Sequence, residues 1–92
     1  MYILKCSDNM YYVGHTDNIE KRLAEHQAGA FGGYTSLRLP VKLVFLQMFQ
    51  SRDEAFIAEH RVKNWSRKKK EALIRGDWNE LLSQSKKILK ND

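Results

Sequence analysis

Residues 1–15 read MYILKCSDNMYYVGH. The runs 1–6 and 11–15 are rich in aromatic and aliphatic side chains, and the turn-forming residues 7–9 (Ser-Asp-Asn) separate them. This pattern predicts an N-terminal β-hairpin. Because side chains alternate between the two faces of a strand, the number of residues in the turn decides which side chains of the two strands lie on the same face.

The chain between residues 17 and 50 predicts a helix, a loop and a third strand. Asp17 or Asn18 can cap a helix that ends near Ala28. Residues 28–39 contain three of the five glycines and predict a loop. The apolar run that follows predicts a strand over 41–49.

Three more helices are predicted after residue 50. Ser51 and Glu54 form a capping box ahead of the first. Ser66 can cap the second and Gly76 can end it, after which Asp77 begins the last. The order β-β-α-β-α-α-α predicts an α+β fold in which helices cover one small antiparallel sheet. At 92 residues, the chain has room for one domain.

Positive charge is concentrated in the second half of the chain. Residues 51–92 hold eleven lysines and arginines against seven acids, whereas residues 1–50 hold five against four. Residues 61–70 carry six cations and no acid. Such a field attracts polyanions, nucleic acid above all. A solvated basic turn between two helices is the alternative, and the charge pattern is compatible with both.

The single cysteine, Cys6, excludes an intrachain disulfide. Its place in an alternating strand pattern favours a buried structural thiol over a nucleophile. The apolar runs are too short to span a membrane, and the first residues lack the pattern of a secretory signal. Together these features predict a cytoplasmic protein with no membrane association and no disulfide-linked partner.

Glu59 does not fit a purely structural account of its helix. It lies four residues after Ala55 and therefore shares the inward side of the helix. An inward carboxylate is costly unless it is paired or bound to a cation. A salt bridge with Arg22, Arg61 or Lys63 is one interpretation, and a metal-binding or catalytic role is the other.

Arg22 and His26 lie one turn apart on the first helix and flank the apolar pair Ile19 and Leu23. Both side chains are therefore predicted to lie at the edge of the apolar stripe that the helix buries. The three histidines of the chain share no close metal-ligand spacing, so a zinc site is not expected. No Walker, dinucleotide-binding or nucleophile-elbow motif is present.

Taken in order, these pieces resemble the GIY-YIG nuclease domain, and especially its small stand-alone members, which are mostly bacterial. The first half-motif is reduced to residues 1–4 (MYIL), and the second is clear at residues 12–14 (YVG). The further matching segments are 20–26 (EKRLAEH), 33–35 (GYT) with Arg38, 40–44 (PVKLV), 54–59 (EAFIAE) and 62–70 (VKNWSRKKK). The resemblance implies a nuclease-like domain over 1–80, which a C-terminal helix over 81–92 continues.

The same resemblance implies an endonuclease that hydrolyses phosphodiester bonds in DNA with one divalent cation, Mg²⁺ or Mn²⁺. Tyr2 is then expected to be the general base that deprotonates the attacking water, and Tyr12 to position water or phosphate. Arg22 is expected to stabilise charge on the phosphoryl oxygens. His26 is expected to assist proton transfer, and Glu59 to bind the metal ion.

DNA is the expected partner, and six cations are expected to contact it. These are Arg38, Lys63, Arg67, Lys68, Lys69 and Lys70. Because no second DNA-recognition domain is evident, cleavage is expected to select the structure of the DNA rather than its sequence. A role in DNA repair or processing, with a partner protein that supplies targeting, is consistent with this.

Two positions depart from the family pattern. Met1 stands where the family carries a glycine before the first tyrosine, and the family's late asparagine has no clear counterpart other than Asn64. These departures support an alternative function, in which the protein binds nucleic acid, keeps the fold and has little or no catalytic activity.

A shared site requires Tyr2 and Tyr12 to lie on one face of the hairpin. A two-residue turn at Asp8-Asn9 would pair Tyr2 with His15 and separate the two tyrosines. An odd-length loop or a bulge within residues 7–10 is therefore expected.

Overall fold

Three antiparallel strands in the order β2-β1-β3 form one sheet. The computed structural model describes residues 1–30, 33–77, 79 and 81. The strands are β1 (Tyr2–Lys5), β2 (Tyr11–Gly14) and β3 (Lys42–Leu46), and the helices are α1 (Ile19–Gln27), α2 (Arg52–Lys63) and α3 (Arg67–Arg75). The α+β architecture is confirmed, whereas the last predicted helix and the segment 81–92 lie almost wholly outside the described residues.

A three-residue turn joins β1 to β2. The Cys6 amide donates a hydrogen bond to the Met10 carbonyl at 2.8 Å, and the Asn9 amide donates to the Cys6 carbonyl at 3.0 Å. Asn9 lies in the left-handed region with φ 68°. Asparagine tolerates this region better than most residues, and a left-handed last position is common in three-residue hairpin loops.

The register that this turn imposes pairs Tyr2 with Gly14 and Leu4 with Tyr12. Since directly opposite residues point to the same face, all four lie on one face of the sheet. The predicted odd-length loop is confirmed, and the two tyrosines can share a site.

The pairing of β3 with β1 contains a bulge. Ile3 lies opposite Phe45, whereas Leu4 lies opposite Leu43, so Val44 is the additional residue on β3. As a result Val44 and Phe45, although consecutive, both pack against the core on the Ile3 side of the sheet.

The prediction that the third strand extends over 41–49 is wrong, because β3 ends at Leu46. The physical reason lies in its partner strand. Gln47 still exchanges two backbone hydrogen bonds of 2.9 Å with Met1, and residues 48 and 49 extend past the end of β1.

Each face of the sheet carries its own apolar core. On the face that α1 covers, hereafter the α1 face, the buried residues are Tyr2, Leu4, Cys6 and Val41, with Ile19 and Leu23 packed against them. On the face that α2 and α3 cover, hereafter the α2–α3 face, the buried residues are Met1, Ile3, Val13, Val62 and Leu73. Cys6 is buried in the α1-face core, which confirms the predicted buried thiol, and burial raises the pKa of that thiol.

The helices begin at residues that the sequence marks as caps. The side chains of Asn18, Ser51 and Ser66 each accept a hydrogen bond from a backbone amide in the first turn. Gly76, in the left-handed region at φ 71°, ends α3. None of the described helices has the length and apolar character needed to cross a bilayer.

Gly14 accommodates the ring of Tyr2, which lies across it. A Cβ atom at position 14 would lie 2.6 Å from the Tyr2 Oη and 2.7 Å from its Cζ. Tyr2 has no exposed surface into which it could withdraw. The absence of a side chain at position 14 is therefore a condition for the position of Tyr2.

We expect Gly14→Ala to displace the Tyr2 ring and to destabilise the protein by about 1–3 kcal/mol, the usual cost of overpacking. The free energy of unfolding in urea measures the loss. Gly76→Ala is the matched control, because no atom of the described residues lies within 4 Å of its added Cβ, and the change introduces left-handed strain. Gly14→Ala should abolish any activity that depends on Tyr2, whereas Gly76→Ala should spare it; equal behaviour of the two variants would contradict the prediction.

Candidate active site

A buried chain of hydrogen bonds on the α1 face links Tyr2, His26 and Thr35. The Tyr2 hydroxyl lies 2.9 Å from His26 Nε2, and His26 Nδ1 lies 2.9 Å from Thr35 Oγ1. All three side chains are fully buried. His26 therefore lies inside the core and not at the edge of the helix stripe as the sequence predicted.

Burial sets the protonation states of the hydrogen-bonded residues Tyr2 and His26. It raises the pKa of Tyr2 to about 12, an effect that a hydrogen bond from Arg22 partly opposes. It lowers the pKa of His26, and the positive charge of Arg22 lowers it further. At neutral pH both groups are therefore uncharged. The neutral imidazole has one N–H, and its tautomer sets which atom donates in the Tyr2–His26 and the His26–Thr35 hydrogen bonds.

Thr35 is the member of the site that the sequence did not single out. Its only signal was its place in residues 33–35 (GYT) of the family resemblance. A buried histidine needs a partner for each ring nitrogen, and the hydroxyl of Thr35, which can donate or accept, is the partner of Nδ1. This contact holds the orientation of the His26 ring.

A row of aromatic rings extends from the hydrogen-bonded residues Tyr2, His26 and Thr35 toward the protein surface. The Tyr12 ring lies 5.1 Å from the His26 ring and 6.2 Å from the Tyr2 ring, measured between centroids. Tyr34 follows at 6.1 Å from Tyr12 and is 37% exposed. The Arg38 guanidinium stacks 4.0 Å above the Tyr34 ring and is held by Asp8 at 2.9 Å.

Arg22 connects the buried chain to a surface cleft. Its guanidinium hydrogen-bonds the Tyr2 hydroxyl and donates to the His15 carbonyl at 3.3 Å. The cleft beside it has a volume of about 380 Å³, and His15, Arg52 and the N-cap residue Ser51 also line it. A phosphate group in this cleft would meet Arg22 and the start of α2, together with Arg52, which lies 3.5 Å from Asp17.

Glu59 is inward-facing, as predicted, with 8% of its surface exposed. Its Oε2 lies 3.0 Å from His15 Nδ1, and its Oε1 lies 4.0 Å from Lys63 Nζ. Lys63 was among the partners considered from the sequence, whereas His15 was not. The charge of Glu59 contributes to the raised pKa values of Tyr2 and Tyr12, so the carboxylate and the two phenols share one electrostatic environment.

The ligand atoms that the protein offers at Glu59 fit one divalent cation that keeps most of its bound water molecules. Among the described residues, no three His, Cys, Asp or Glu side chains come close enough to hold an ion together. Magnesium-type sites commonly use one or two carboxylates plus water and substrate phosphate. Glu59 would be the carboxylate ligand in such a site.

The basic residues divide between two places. Lys63 lies beside Glu59, and Arg38 lies at the outer end of the row of aromatic rings. The run from Arg67 to Lys70 belongs to α3 and therefore lies on the α2–α3 face. Arg67 packs over the Tyr11 ring, at the opposite end of β2 from His15 and thus about 13 Å away along the strand.

Not every member of this run is available to a phosphate. Lys69 is 8% exposed, and its ammonium lies 4.1 Å above the Trp65 ring. Arg67 lies 3.5 Å from Glu71, and burial lowers the pKa of Lys70. Asn64 donates its amide to the His60 carbonyl at 3.0 Å at the end of α2, so its visible role is to end that helix.

The chain is similar in sequence to a known protein family and to several known proteins. The family model described as the GIY-YIG catalytic domain matches residues 1–72. A UPF0213 protein from Staphylococcus haemolyticus is 46% identical over 80% of this chain and 90% of its own length. A UPF0213 protein from Natronomonas pharaonis is also 46% identical, over 80% of this chain and 87% of its own length.

A solved structure is similar as well. The solution NMR structure of a UPF0213 protein from Bacillus halodurans is 39% identical and covers 83% of this chain and 81% of its own, with a TM-score of 0.54. The three-stranded sheet with flanking helices is thus a fold that this chain has in common with a small protein of the same group.

The lowered pKa of His26 predicts how stability depends on pH. In the unfolded chain this histidine titrates near 6.5. Below that value the unfolded chain binds more protons than the folded protein, so stability falls as the pH falls, while above it the contribution is constant.

We therefore expect the melting temperature to drop between about pH 6.5 and pH 5, and His26→Asn, which cannot be protonated there, to reduce the drop. His60→Asn, at an exposed position of α2, is the control. A His26→Asn variant with the same pH dependence as the parent would contradict this assignment.

Proposed function

Since the chain belongs to the GIY-YIG catalytic domain family, whose domain is of the nuclease type, we propose that it is an endonuclease that hydrolyses phosphodiester bonds in DNA. We propose further that it uses one divalent cation, Mg²⁺ or Mn²⁺. The observation that carries the proposal is the neutral, buried Tyr2–His26 pair, whose neighbour Arg22 lines an open cleft.

The proton path follows from the hydrogen bonds of the resting protein. With a pKa of about 12, Tyr2 is almost wholly protonated at neutral pH, so its hydroxyl is a poor base if it acts alone. In the tautomer whose Nε2 accepts a hydrogen bond from the Tyr2 hydroxyl, Tyr2 can take a proton from water as it passes its own to His26 Nε2. Thr35 holds the ring in place while the imidazole gains charge.

Arg22 and Tyr12 act on the phosphate. The guanidinium of Arg22 opens onto the cleft and can neutralise charge that develops on the phosphoryl oxygens. Tyr12, whose ring lies between those of Tyr2 and Tyr34, can orient the attacking water or a phosphate oxygen. A cation held by Glu59 would supply further positive charge at the phosphate.

The proposed substrate is DNA selected by structure. Lys63 and Arg38 flank the site and fit contacts to the strand being cut, whereas the α3 cations fit contacts to a more distant part of the backbone. Phosphate contacts of this kind carry no sequence information, which is consistent with repair or processing of structured DNA and with a partner protein that supplies targeting.

A second function is a nucleic-acid-binding protein with little catalytic activity. The observation that favours it is the complete burial of Tyr2, whose hydroxyl is 2.9 Å from His26 and shielded from solvent. The test is cleavage of single-stranded, duplex, flap and branched DNA with and without Mg²⁺ or Mn²⁺. Cation-dependent cleavage of any of them supports the nuclease; binding without cleavage of all four supports the alternative.

We expect Glu59→Gln to lose cation-dependent cleavage by at least about 100-fold while it still binds DNA, because the charge that holds the ion is removed and the basic residues are unchanged. Cleavage, DNA affinity and melting temperature are to be measured on the same preparation. Asp53→Asn, an exposed acid in the first turn of the same helix, is the control. A folded Glu59→Gln protein that cuts as fast as the parent would remove the metal assignment.

Changing Arg67, Lys68 and Lys70 to Ala should weaken DNA binding alike for every sequence. Lys69 is left in place because its side chain is buried. The slope of log K against log salt concentration should become shallower by about 0.7–0.9 for each phosphate that the protein no longer neutralises. Unchanged affinity in a binding titration would show that this run is a solvated surface.

A further inference from the structure

His15 and Glu59 bring a nitrogen and an oxygen donor together at the edge of the sheet. His15 follows β2 directly, and Glu59 comes from the middle of α2, 44 residues later in the chain. Their nearest atoms, His15 Nδ1 and Glu59 Oε2, are 3.0 Å apart. The His15 side chain is 29% exposed and that of Glu59 is 11% exposed, so the pair is accessible from solvent without being freely solvated.

The ring of His15 is held in its orientation. It lies edge-on to the Phe56 ring, with 5.6 Å between the centroids and 86° between the planes. Phe56 in turn contacts the His60 ring at 4.3 Å. On the other side, the His15 carbonyl accepts a hydrogen bond from Arg22. Nδ1 therefore points at the carboxylate because of the packing around it.

The distance between the two donors matches a pair of ligands on one ion. Two neighbouring ligands of an octahedral cation, each about 2.1 Å from the metal, lie about 3.0 Å apart. We propose that His15 Nδ1 and Glu59 Oε2 are both ligands of the cation, which makes the centre a mixed nitrogen–oxygen site. This inference rests on the proposed function in one respect, namely that Glu59 holds the ion.

A mixed site of this kind selects among cations. Magnesium prefers oxygen ligands, whereas an imidazole nitrogen strengthens the binding of first-row transition ions in the order Mn²⁺, Fe²⁺, Co²⁺, Ni²⁺. A site with one carboxylate and one imidazole should therefore favour Mn²⁺ and Co²⁺ over Mg²⁺. Lys63 is no obstacle, because its side chain is 54% exposed and lies 4.0 Å from the other carboxylate oxygen, Oε1.

A different role for His15 fits the same distance. The imidazole could donate a hydrogen bond to Glu59 and orient its carboxylate without touching the ion, as residues around metal ligands often do. The two roles differ in one measurable respect, which is whether a histidine nitrogen is bonded to the metal.

The experiment is electron spin echo spectroscopy of the full chain loaded with Mn²⁺, alone and with a phosphorothioate DNA strand that resists cleavage. We expect a ¹⁴N coupling from one directly bound imidazole. It should be absent in His15→Ala and present in His60→Ala, the matched control on α2. By calorimetry, His15→Ala should weaken Co²⁺ binding at least about tenfold and change Mg²⁺ binding less than about twofold.

The outcomes separate the two proposals. Mn²⁺ that binds through Glu59, as shown by its loss in Glu59→Gln, but gives no nitrogen coupling overturns His15 as a ligand and leaves the proposed nuclease function in place. Absence of Mn²⁺ binding, with DNA present as well as absent, overturns the site itself. If cleavage is also absent with every cation, the proposed function fails independently of His15.

Discussion

Asn9, in its left-handed conformation, lets three residues rather than two join β1 to β2, and this turn length places Tyr2 and Tyr12 on the same face of the hairpin. The contacts that Tyr2 and Tyr12 make in the candidate site depend on this odd number of turn residues. With one residue fewer, Tyr12 would face the opposite layer of helices, and neither His26 nor Tyr34 could meet it. The same register sets Gly14 beneath Tyr2, where the phenol fills the space that a side chain would occupy.

On the α1 face of the sheet the protein buries polar groups whose burial would cost free energy if they lacked hydrogen-bond partners. Tyr2, His26 and Thr35 lie out of contact with solvent, yet the two ring nitrogens and the phenol all have hydrogen-bond partners. Removing one partner would leave a buried donor or acceptor unsatisfied, at a cost of about 1–3 kcal/mol. Burial also keeps the pair neutral, because it raises the pKa of Tyr2 and lowers the pKa of His26. The pair is thus uncharged at neutral pH.

The sheet separates the proton-transfer groups from most of the positive charge. Tyr2, Tyr12, His26 and Arg22 belong to the α1 side, whereas the basic run of α3 lies on the other layer. Glu59 belongs to α2 and meets His15 at the end of β2, at 3.0 Å. The His15 carbonyl also accepts a hydrogen bond from Arg22 of α1, so side chains of both layers contact this residue.

Local patterns in the sequence were sufficient for the three strands, for helices α1 to α3 and for their caps, because a cap and its first turn lie within a few residues of each other. The odd-length turn over 7–10 was predicted from the family resemblance, which requires Tyr2 and Tyr12 to share a face, and the spacing of Ala55 and Glu59 predicted the inward carboxylate. The extent of β3 was not predictable in the same way, because it depends on pairing with β1, a strand that is distant in the sequence.

The tertiary structure alone decided which polar groups meet. His26 and Thr35 are nine residues apart, and His15 and Glu59 are 44 apart, so no local spacing connects either pair. It also decided that Lys69 packs over Trp65 while its neighbour Lys68 is exposed, although the run of four cations looks uniform in sequence. The sequence by itself determined the elements, since these follow from residue type and short-range periodicity, and the family resemblance supplied the candidate site residues. Their partners, burial and protonation depend on contacts between distant segments, which exist only once the two layers have packed on the sheet.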